Sequence, residues 1–127
     1  MKIDHIAMYV SDLEGAKAFF IHYFVASAGT EYHNSKTGFR SYFLTFEDGA
    51  RLELMHRPEC SSTDHGLYQY GYAHIAISVG SRDKVDLLTK QLIDDGYTLA
   101  SGPRTTGDGY YESCIFIFDN NLIEITV

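Results

Sequence analysis

Hydrophobic and polar positions along the chain alternate between two periodicities, and the same succession occurs twice. Apolar residues at every second position are typical of a half-buried strand, whereas spacings of three and four are typical of an amphipathic helix. The first half predicts a strand at 2–10, a helix at 12–25, and strands at 29–33, 39–46 and 50–57. The second half predicts a strand at 72–79, a helix at 82–95, and strands at 97–100, 110–119 and 122–127.

The segments between these elements carry the residues that begin and end them. Asp12 and Ser81 are helix N-cap residues, and Gly96 follows the second helix as a stop. Turns are predicted at 34–38, 47–49 and 119–121, and a longer loop at 102–109. The chain is therefore interpreted as one α+β domain of two tandem βαβββ modules, 1–57 and 72–127, joined by a polar linker at 58–71. The two modules are expected to form an eight-stranded, curved, incompletely closed sheet with the helices outside.

Composition and charge narrow the classes of function. The 127 residues are 45% hydrophobic and carry a net charge of −7, which disfavours binding to nucleic acid phosphates. No apolar run approaches the roughly 20 residues that span a bilayer, and no secretory leader is recognisable, so a cytoplasmic protein is expected. Cys60 and Cys114 lack the spacing of a metal motif, and two free thiols are predicted rather than a disulfide.

The two halves also share residues with chemical potential. His-Ile-Ala occurs in the opening strand of each half, with His5 in the first and His74 in the second. The closing strands contain Glu53 and Glu124, and the two glutamates are separated by nearly the same number of residues as the two histidines. The pattern indicates an internal duplication of one unit, which has an imidazole on its first strand and a carboxylate on its last.

A divalent metal ion accounts for these four residues together. A carboxylate within a strand built for burial is costly unless a cation or hydrogen bonds compensate it. Two imidazoles and two carboxylates suit Zn²⁺, Ni²⁺, Co²⁺, Mn²⁺ or Fe²⁺, and the ligand types do not select among them. A single strand histidine is usually structural and a single strand glutamate usually solvated, but their coincidence at equivalent repeat positions favours a metal site. The remaining histidines have no counterpart in the other half and are interpreted as structural or surface residues: His22, His33, His56 and His65.

Several segments together resemble the vicinal-oxygen-chelate superfamily, the group of glyoxalase I, bleomycin-resistance proteins and extradiol dioxygenases. They are Asp4-His5-Ile6-Ala7 with Val10-Ser11-Asp12-Leu13, Leu52-Glu53-Leu54, His74-Ile75-Ala76 and Ile123-Glu124-Ile125. The His-Glu-His-Glu order of ligands is similar to that of glyoxalase I. The resemblance implies a metal-dependent conversion of a 2-oxoaldehyde–thiol hemithioacetal, such as that of methylglyoxal and glutathione, to a 2-hydroxyacyl thioester. It implies Glu124 or Glu53 as the group that transfers the proton, with Glu124 favoured.

Two other classes of function remain open. Relatives that epimerise or oxygenate their substrates use related metal sites, and members that sequester antibiotics lack the ligands. Candidate substrate contacts are Tyr9, Arg51, Phe43 and Tyr111, although most of the aromatic residues are expected in the core or in a homodimer interface. Glyoxalase I enzymes commonly carry an arginine near the position of Tyr9, which this chain lacks. The expected partners are a small-molecule substrate, possibly linked to glutathione, and a second copy of the chain.

Overall fold

The computed structural model describes residues 2–47, 49–61 and 70–127. The chain divides into two compact units, Met1–Ser62 and Thr63–Val127, each with one open sheet and one α-helix, and the second also has a short 3₁₀ helix at Phe118–Asn120. This arrangement confirms the predicted α+β class and the β-α-β order of each half. Most of the predicted linker lies outside the described residues. No described helix reaches the length and hydrophobicity that crossing a bilayer requires.

The first unit contains a five-stranded sheet. Its elements are β1 (Ile6–Tyr9), α1 (Leu13–Phe24), β2 (Ser27–Ala28), β3 (Tyr32–Asn34), β4 (Phe39–Thr45) and β5 (Arg51–His56). The strand order is β1-β5-β4-β2, and β3 also pairs with β4. β1 runs parallel to β5, and the other pairs are antiparallel.

Helix α1 covers one face of this sheet. The Asp12 carboxylate accepts a hydrogen bond from the Gly15 N–H at 2.9 Å, which satisfies one of the free donors at the helix start. The buried side of the helix consists of Leu13, Ala16, Phe19 and Phe20. Leu52 and Leu54 of β5 are also buried, while Glu53 between them is half-buried and lies on the opposite face. The sheet therefore has a helix-covered face and a second face that contains Glu53.

The second unit contains a four-stranded sheet. Its elements are β6 (Ile75–Ser78), α2 (Arg82–Asp94), β7 (Thr98–Thr105), β8 (Tyr111–Phe116) and β9 (Leu122–Thr126). The strand order is β6-β9-β8-β7, with β6 parallel to β9. The Ser81 hydroxyl accepts from the Lys84 N–H at 3.3 Å at the start of α2. Val85, Thr89 and Leu92 of α2 are buried, as are Ile123 and Ile125 of β9, so that Glu124 lies on the face that the helix does not cover.

Three sequence predictions require correction. The described residues form nine strands in two hydrogen-bonded sheets rather than eight in one, because 27–34 contains two short strands. The opening strands are shorter than predicted, so that His5 and His74 immediately precede β1 and β6. The predicted loop at 102–109 is strand up to Thr105, although it contains Pro103. Because β7 is the edge strand of its sheet, the missing N–H of proline is tolerated there, and the register shifts on both sides of Ser101.

Candidate metal centre

His5 and Glu53 lie together in the first unit. Parallel pairing of β1 with β5 places Ala7 opposite Glu53, and His5 precedes Ala7 by two residues on the same face. The His5 Nε2 atom is 3.8 Å from the Glu53 Oε2 atom. The Glu53 side chain is only 15% exposed, against 37% for His5. His5 and Glu53 are therefore neighbours on one face of the first sheet, and their role as metal ligands stays a prediction.

Asp4 orients the His5 ring from its other side. The Nδ1 atom of His5 is 2.9 Å from the Asp4 Oδ2 atom, and Arg51 donates to the same carboxylate oxygen. These hydrogen bonds from His5 and then Arg51 hold the pKa of the Asp4 carboxyl below its usual value. In the tautomer whose Nδ1–H donates to Asp4, the unprotonated nitrogen is Nε2, the atom nearer to Glu53. That tautomer would offer Nε2 to a metal ion.

The second unit repeats the arrangement with His74 and Glu124. Ala76 is opposite Glu124 in the parallel β6–β9 pair, and the His74 Nε2 atom lies 3.4 Å from the Glu124 Oε2 atom. The exposed fractions are 37% for the His74 side chain and 16% for that of Glu124. Burial is the main cause that raises the pKa of Glu124, and the negative charge of Glu112 adds to it, while His74 acts in the opposite direction.

Sequence reasoning missed two neighbours of Glu124. Cys114 is its direct cross-strand partner in the antiparallel β8–β9 pair, and Glu112 is two residues before Cys114 on the same face. The ligand atoms of Glu112, Cys114 and Glu124 all lie within 4.8 Å of one another. Burial raises the pKa of the Cys114 thiol, and a hydrogen bond with Ser101 partly offsets this. Aligning β8 with β9 would have placed both residues beside Glu124, but that alignment depends on the length of the turn between the two strands, which the sequence pattern does not fix.

The donors of each unit fit a transition-metal ion. Zn²⁺ binds imidazole nitrogen and carboxylate oxygen at about 2.0–2.2 Å, which places two donors of one ion roughly 3–4 Å apart. The separations of 3.8 Å in the first unit and 3.4 Å in the second are in this range. A cation would also neutralise the Glu124 carboxylate, whose ionised form is disfavoured by burial and by Glu112. Each unit therefore offers one imidazole and one carboxylate suited to such an ion.

Two of the four predicted substrate contacts lie next to His5 and Glu53. Phe43 is the cross-strand partner of Glu53, and its ring meets the His5 ring edge-on with 5.2 Å between centroids. The Arg51 guanidinium lies 4.7 Å from the centroid of the Phe43 ring and bonds Asp4. Phe43 and Arg51 thus form an apolar and a cationic neighbour for this pair of candidate ligands.

Tyr9 shares the face of β1 with His5 and Ala7 but lies at the other end of the strand, and Tyr111 does not share the face of Glu124. Tyr9, 47% exposed, borders a shallow depression of about 430 Å³ that is also lined by Arg57, Glu59 and Cys60. Tyr111 faces α2, because its hydroxyl donates to Asp86 Oδ1 at 2.6 Å and Arg82 lies 4.8 Å from its ring centroid. The bond to Asp86 raises the pKa of Tyr111. This residue lies on the face of the sheet opposite Glu124, so its placement does not support a direct substrate contact.

The remaining histidines and cysteines have the expected surroundings. His22 and His33 are exposed, and His56 Nδ1 is bonded to the Val10 carbonyl oxygen at 2.9 Å. His65 lies outside the described residues. Cys60 is exposed and Cys114 buried, and both are free thiols, as predicted.

Comparisons with known proteins agree with the fold of the chain. The family model described as Glyoxalase/Bleomycin resistance protein/Dioxygenase superfamily matches residues 2–125. A glyoxylase/bleomycin resistance protein/dioxygenase domain from Frankia sp. EAN1pec has a TM-score of 0.83 at 15% identity, covering 100% of this chain and 97% of that one. A glyoxalase family protein from Bacillus cereus has a TM-score of 0.84 at 17% identity, covering 99% and 93%.

A third similar structure is a variant of the fosfomycin resistance protein FosX from Listeria monocytogenes. It is complexed with Mn(II) and 1S,2S-dihydroxypropylphosphonic acid. Its TM-score is 0.77 at 22% identity, with 98% of this chain and 90% of that chain covered. At this identity the likeness concerns the fold. No curated protein matches the chain.

Proposed function

The chain belongs to the Glyoxalase/Bleomycin resistance protein/Dioxygenase superfamily, and on this premise we propose that it is a metal-dependent enzyme. His5, Glu53, His74 and Glu124 are the proposed ligands of one divalent ion. The observation that carries the proposal is that both units present a histidine Nε2 atom within 4 Å of a half-buried glutamate oxygen, at equivalent positions of the repeat. Two unrelated structural roles would not be expected to recur in this way.

The proposed reaction is of the glyoxalase I type. In a 2-oxoaldehyde–thiol hemithioacetal, the proton on C1, the carbon bonded to sulfur, moves to the neighbouring carbonyl carbon C2. The proton on the C1 oxygen moves to the C2 oxygen, so that the product is the isomeric 2-hydroxyacyl thioester. A bound divalent ion supplies Lewis-acid polarisation of the substrate oxygens.

Glu124 is the proposed group that carries the carbon-bound proton. Its carboxylate takes the proton from C1 and returns it to C2, acting first as general base and then as general acid. Burial and the negative charge of Glu112 raise the pKa of Glu124 in the chain without a bound ion. Once displaced from the ion, a carboxylate in these surroundings would be a stronger base than an exposed one. Glu53 is placed in the same way in the other unit and is the second candidate for this role.

Substrate recognition is proposed to involve the first unit. Phe43 offers an apolar ring beside His5, Arg51 offers a positive charge over that ring, and Tyr9 lies farther along the same strand edge. Because Arg51 is bonded to Asp4, a carboxylate of glutathione would compete with Asp4 for it. Glutathione and smaller thiols are therefore both tested as the thiol component of the substrate. A homodimer is the proposed assembly.

A turnover assay tests the reaction. Metal-free protein is supplied in turn with Ni²⁺, Zn²⁺, Co²⁺, Mn²⁺ and Fe²⁺, and thioester formation from methylglyoxal and each thiol is followed by absorbance. Glu124→Gln is expected to lower kcat by about 10²–10⁴-fold, the usual contribution of a positioned acid–base group. His74→Ala is expected to abolish metal-dependent activity, whereas His33→Ala removes an exposed histidine and is the matched control.

The outcomes test the reaction, the metal requirement and the role of Glu124 separately. No turnover with any metal and thiol would contradict the proposed reaction. Full activity of His74→Ala would contradict the metal requirement. Retention of activity by Glu53→Gln, together with loss in Glu124→Gln, would assign proton transfer to Glu124.

A further inference from the structure

The two histidines among the candidate ligands differ in what lies behind their rings. The His5 Nδ1 atom is 2.9 Å from the Asp4 Oδ2 atom. His74 follows Ala73, whose side chain has no hydrogen-bond acceptor. The side chains of the two histidines are equally exposed, so burial does not distinguish them. The hydrogen bond between His5 and Asp4 is therefore a feature of the first unit that the internal duplication does not repeat.

Arg51 holds the Asp4 carboxylate in place. It donates a hydrogen bond to Oδ2, the same Asp4 oxygen that is bonded to His5. The Arg51 guanidinium itself lies over the Phe43 ring, which meets the His5 ring edge-on. The Asp4 side chain is 60% exposed, so without Arg51 little else would restrict its rotation. In the second unit, Leu122 takes the position of Arg51, two residues before the glutamate, and cannot form such a bond.

The bond with Asp4 selects one tautomer of the neutral His5 ring. An ionised carboxylate only accepts hydrogen bonds, so the proton of the ring must be on Nδ1. Nε2 is then the nitrogen with a free lone pair, and it is the atom 3.8 Å from Glu53 Oε2. A histidine without such a partner can carry its proton on either nitrogen. Asp4 thus favours the form of His5 that could bind an ion on the side of Glu53.

We propose that Asp4, held by Arg51, is a positioning residue that fixes the His5 ring for metal binding and makes the two histidines unequal as ligands. The inference rests on the proposed function, because it concerns one of the proposed ligands. His5 has one tautomer and one ring orientation before an ion binds, so less conformational freedom is lost on binding. His74 lacks this support. The less constrained pair of ligands is then the one that contains Glu124, the proposed carrier of the substrate proton.

Nuclear magnetic resonance of the metal-free chain tests the tautomer without an activity assay. The histidines are labelled with ¹⁵N, and the ring nitrogen shifts are read through the carbon-bound ring protons at about pH 8, above the usual histidine pKa of about 6.5. His5→Gln assigns the signals of His5. The wild type is expected to show His5 with its proton on Nδ1, and Asp4→Ala a mixture of both tautomers. Asp4→Asn, whose amide oxygen still accepts a hydrogen bond, should retain part of the preference. A wild-type His5 with its proton on Nε2 would overturn the proposal.

Zn²⁺ affinity of the same proteins, measured by competition with a chelating dye, tests the consequence for the metal centre. Asp4→Ala is expected to bind Zn²⁺ about 10–100-fold more weakly than the wild type, the usual effect of removing the hydrogen-bond partner of a ligand, and Asp4→Asn less so. Asp83→Ala is the matched control, because it removes the same charge from an exposed position on α2. Equal Zn²⁺ affinities of Asp4→Ala and Asp83→Ala would overturn the role of Asp4 and leave the proposed function standing. Failure of the wild type to bind Zn²⁺ would overturn both.

Discussion

A buried pair of hydroxyl groups joins α2 to the strand that contains Glu112 and Cys114. The Thr89 Oγ1 atom donates to the Val85 carbonyl oxygen at 2.6 Å and lies 2.5 Å from the Ser113 Oγ atom. Thr89 is 1% exposed and Ser113 is fully buried. Because the single proton of Thr89 is directed at Val85, the Ser113 hydroxyl donates the bond between the two side chains.

The variant Thr89→Val keeps the shape of the side chain and removes only the hydroxyl group. It leaves the Ser113 hydroxyl without its acceptor in a site that water does not reach, and an unsatisfied buried polar group costs about 1–3 kcal/mol. Ser113→Ala removes one hydrogen bond but leaves the bond from Thr89 to Val85, so the expected cost is about 0.5–1.5 kcal/mol. The double variant should be no less stable than Thr89→Val, because it no longer buries an unpaired hydroxyl.

Urea unfolding of the wild type, both single variants and the double variant measures this coupling. The expected free energy of unfolding for the double variant exceeds the additive value by about 1 kcal/mol, which is above the roughly 0.5 kcal/mol found for independent sites. If the free energy of unfolding falls with urea concentration at the same slope in all four proteins, their free energies of unfolding can be compared directly. Additive losses would refute the assignment of Ser113 as a donor to Thr89.

Three further predictions concern other parts of the two units. Gly102→Ala is expected to destabilise the chain by about 1–3 kcal/mol in thermal unfolding, because Gly102 has φ +84° and a Cβ there would be 2.5 Å from the Glu112 carbonyl oxygen. Gly107→Ala is the control and should be near neutral, because a Cβ at Gly107 would meet no atom within 4 Å. Leu54→Ala should cost about 2–5 kcal/mol in urea unfolding, since Leu54 is fully buried, and a loss below 1 kcal/mol would contradict the described core. Hydrogen bonds from Lys17 and Tyr42 lower the pKa of Glu14 below its usual value of 4.5. The ionised Glu14 carboxylate therefore stabilises the folded chain above pH 4.5, and this contribution is lost as pH falls through the lowered pKa. Glu14→Gln should therefore lower Tm at pH 7, with the difference closing below pH 4.5; a difference independent of pH would contradict this.

The sequence predicted the two helices well because local chemistry determines them. Apolar spacings of three and four mark the buried faces, and Asp12 and Ser81 cap the starts as expected. The internal repeat singled out His5, Glu53, His74 and Glu124 without any knowledge of the fold, and their role as metal ligands stays a prediction. Their separations in the structure follow from the parallel pairing of the first and last strand of each unit.

The neighbours of Glu124 could not be predicted, because they depend on register. The turn before β9 contains Asp119 and Asn120 with φ 55°, and its length decides that Cys114 is opposite Glu124. A shift of one residue in β8 would exchange its two faces. The same uncertainty affected Tyr111, which lies on the helix-covered face. The extension of β7 through Pro103 was also hidden, because a Gly-Pro step usually predicts a loop and only an edge strand tolerates it.

The central proposal is that the pair His5–Glu53 and the pair His74–Glu124 bind one metal ion, and the stoichiometry of binding tests it most directly. Metal-free protein is titrated calorimetrically with Zn²⁺, and the ratio of bound ions to chains is determined. One ion per chain is predicted whether the two pairs of ligands come from the same chain or from two partners. His5→Ala and His74→Ala should each weaken that single binding event. Two ions per chain, each sensitive to only one of the histidines, would contradict the claim, as would a chain that binds none.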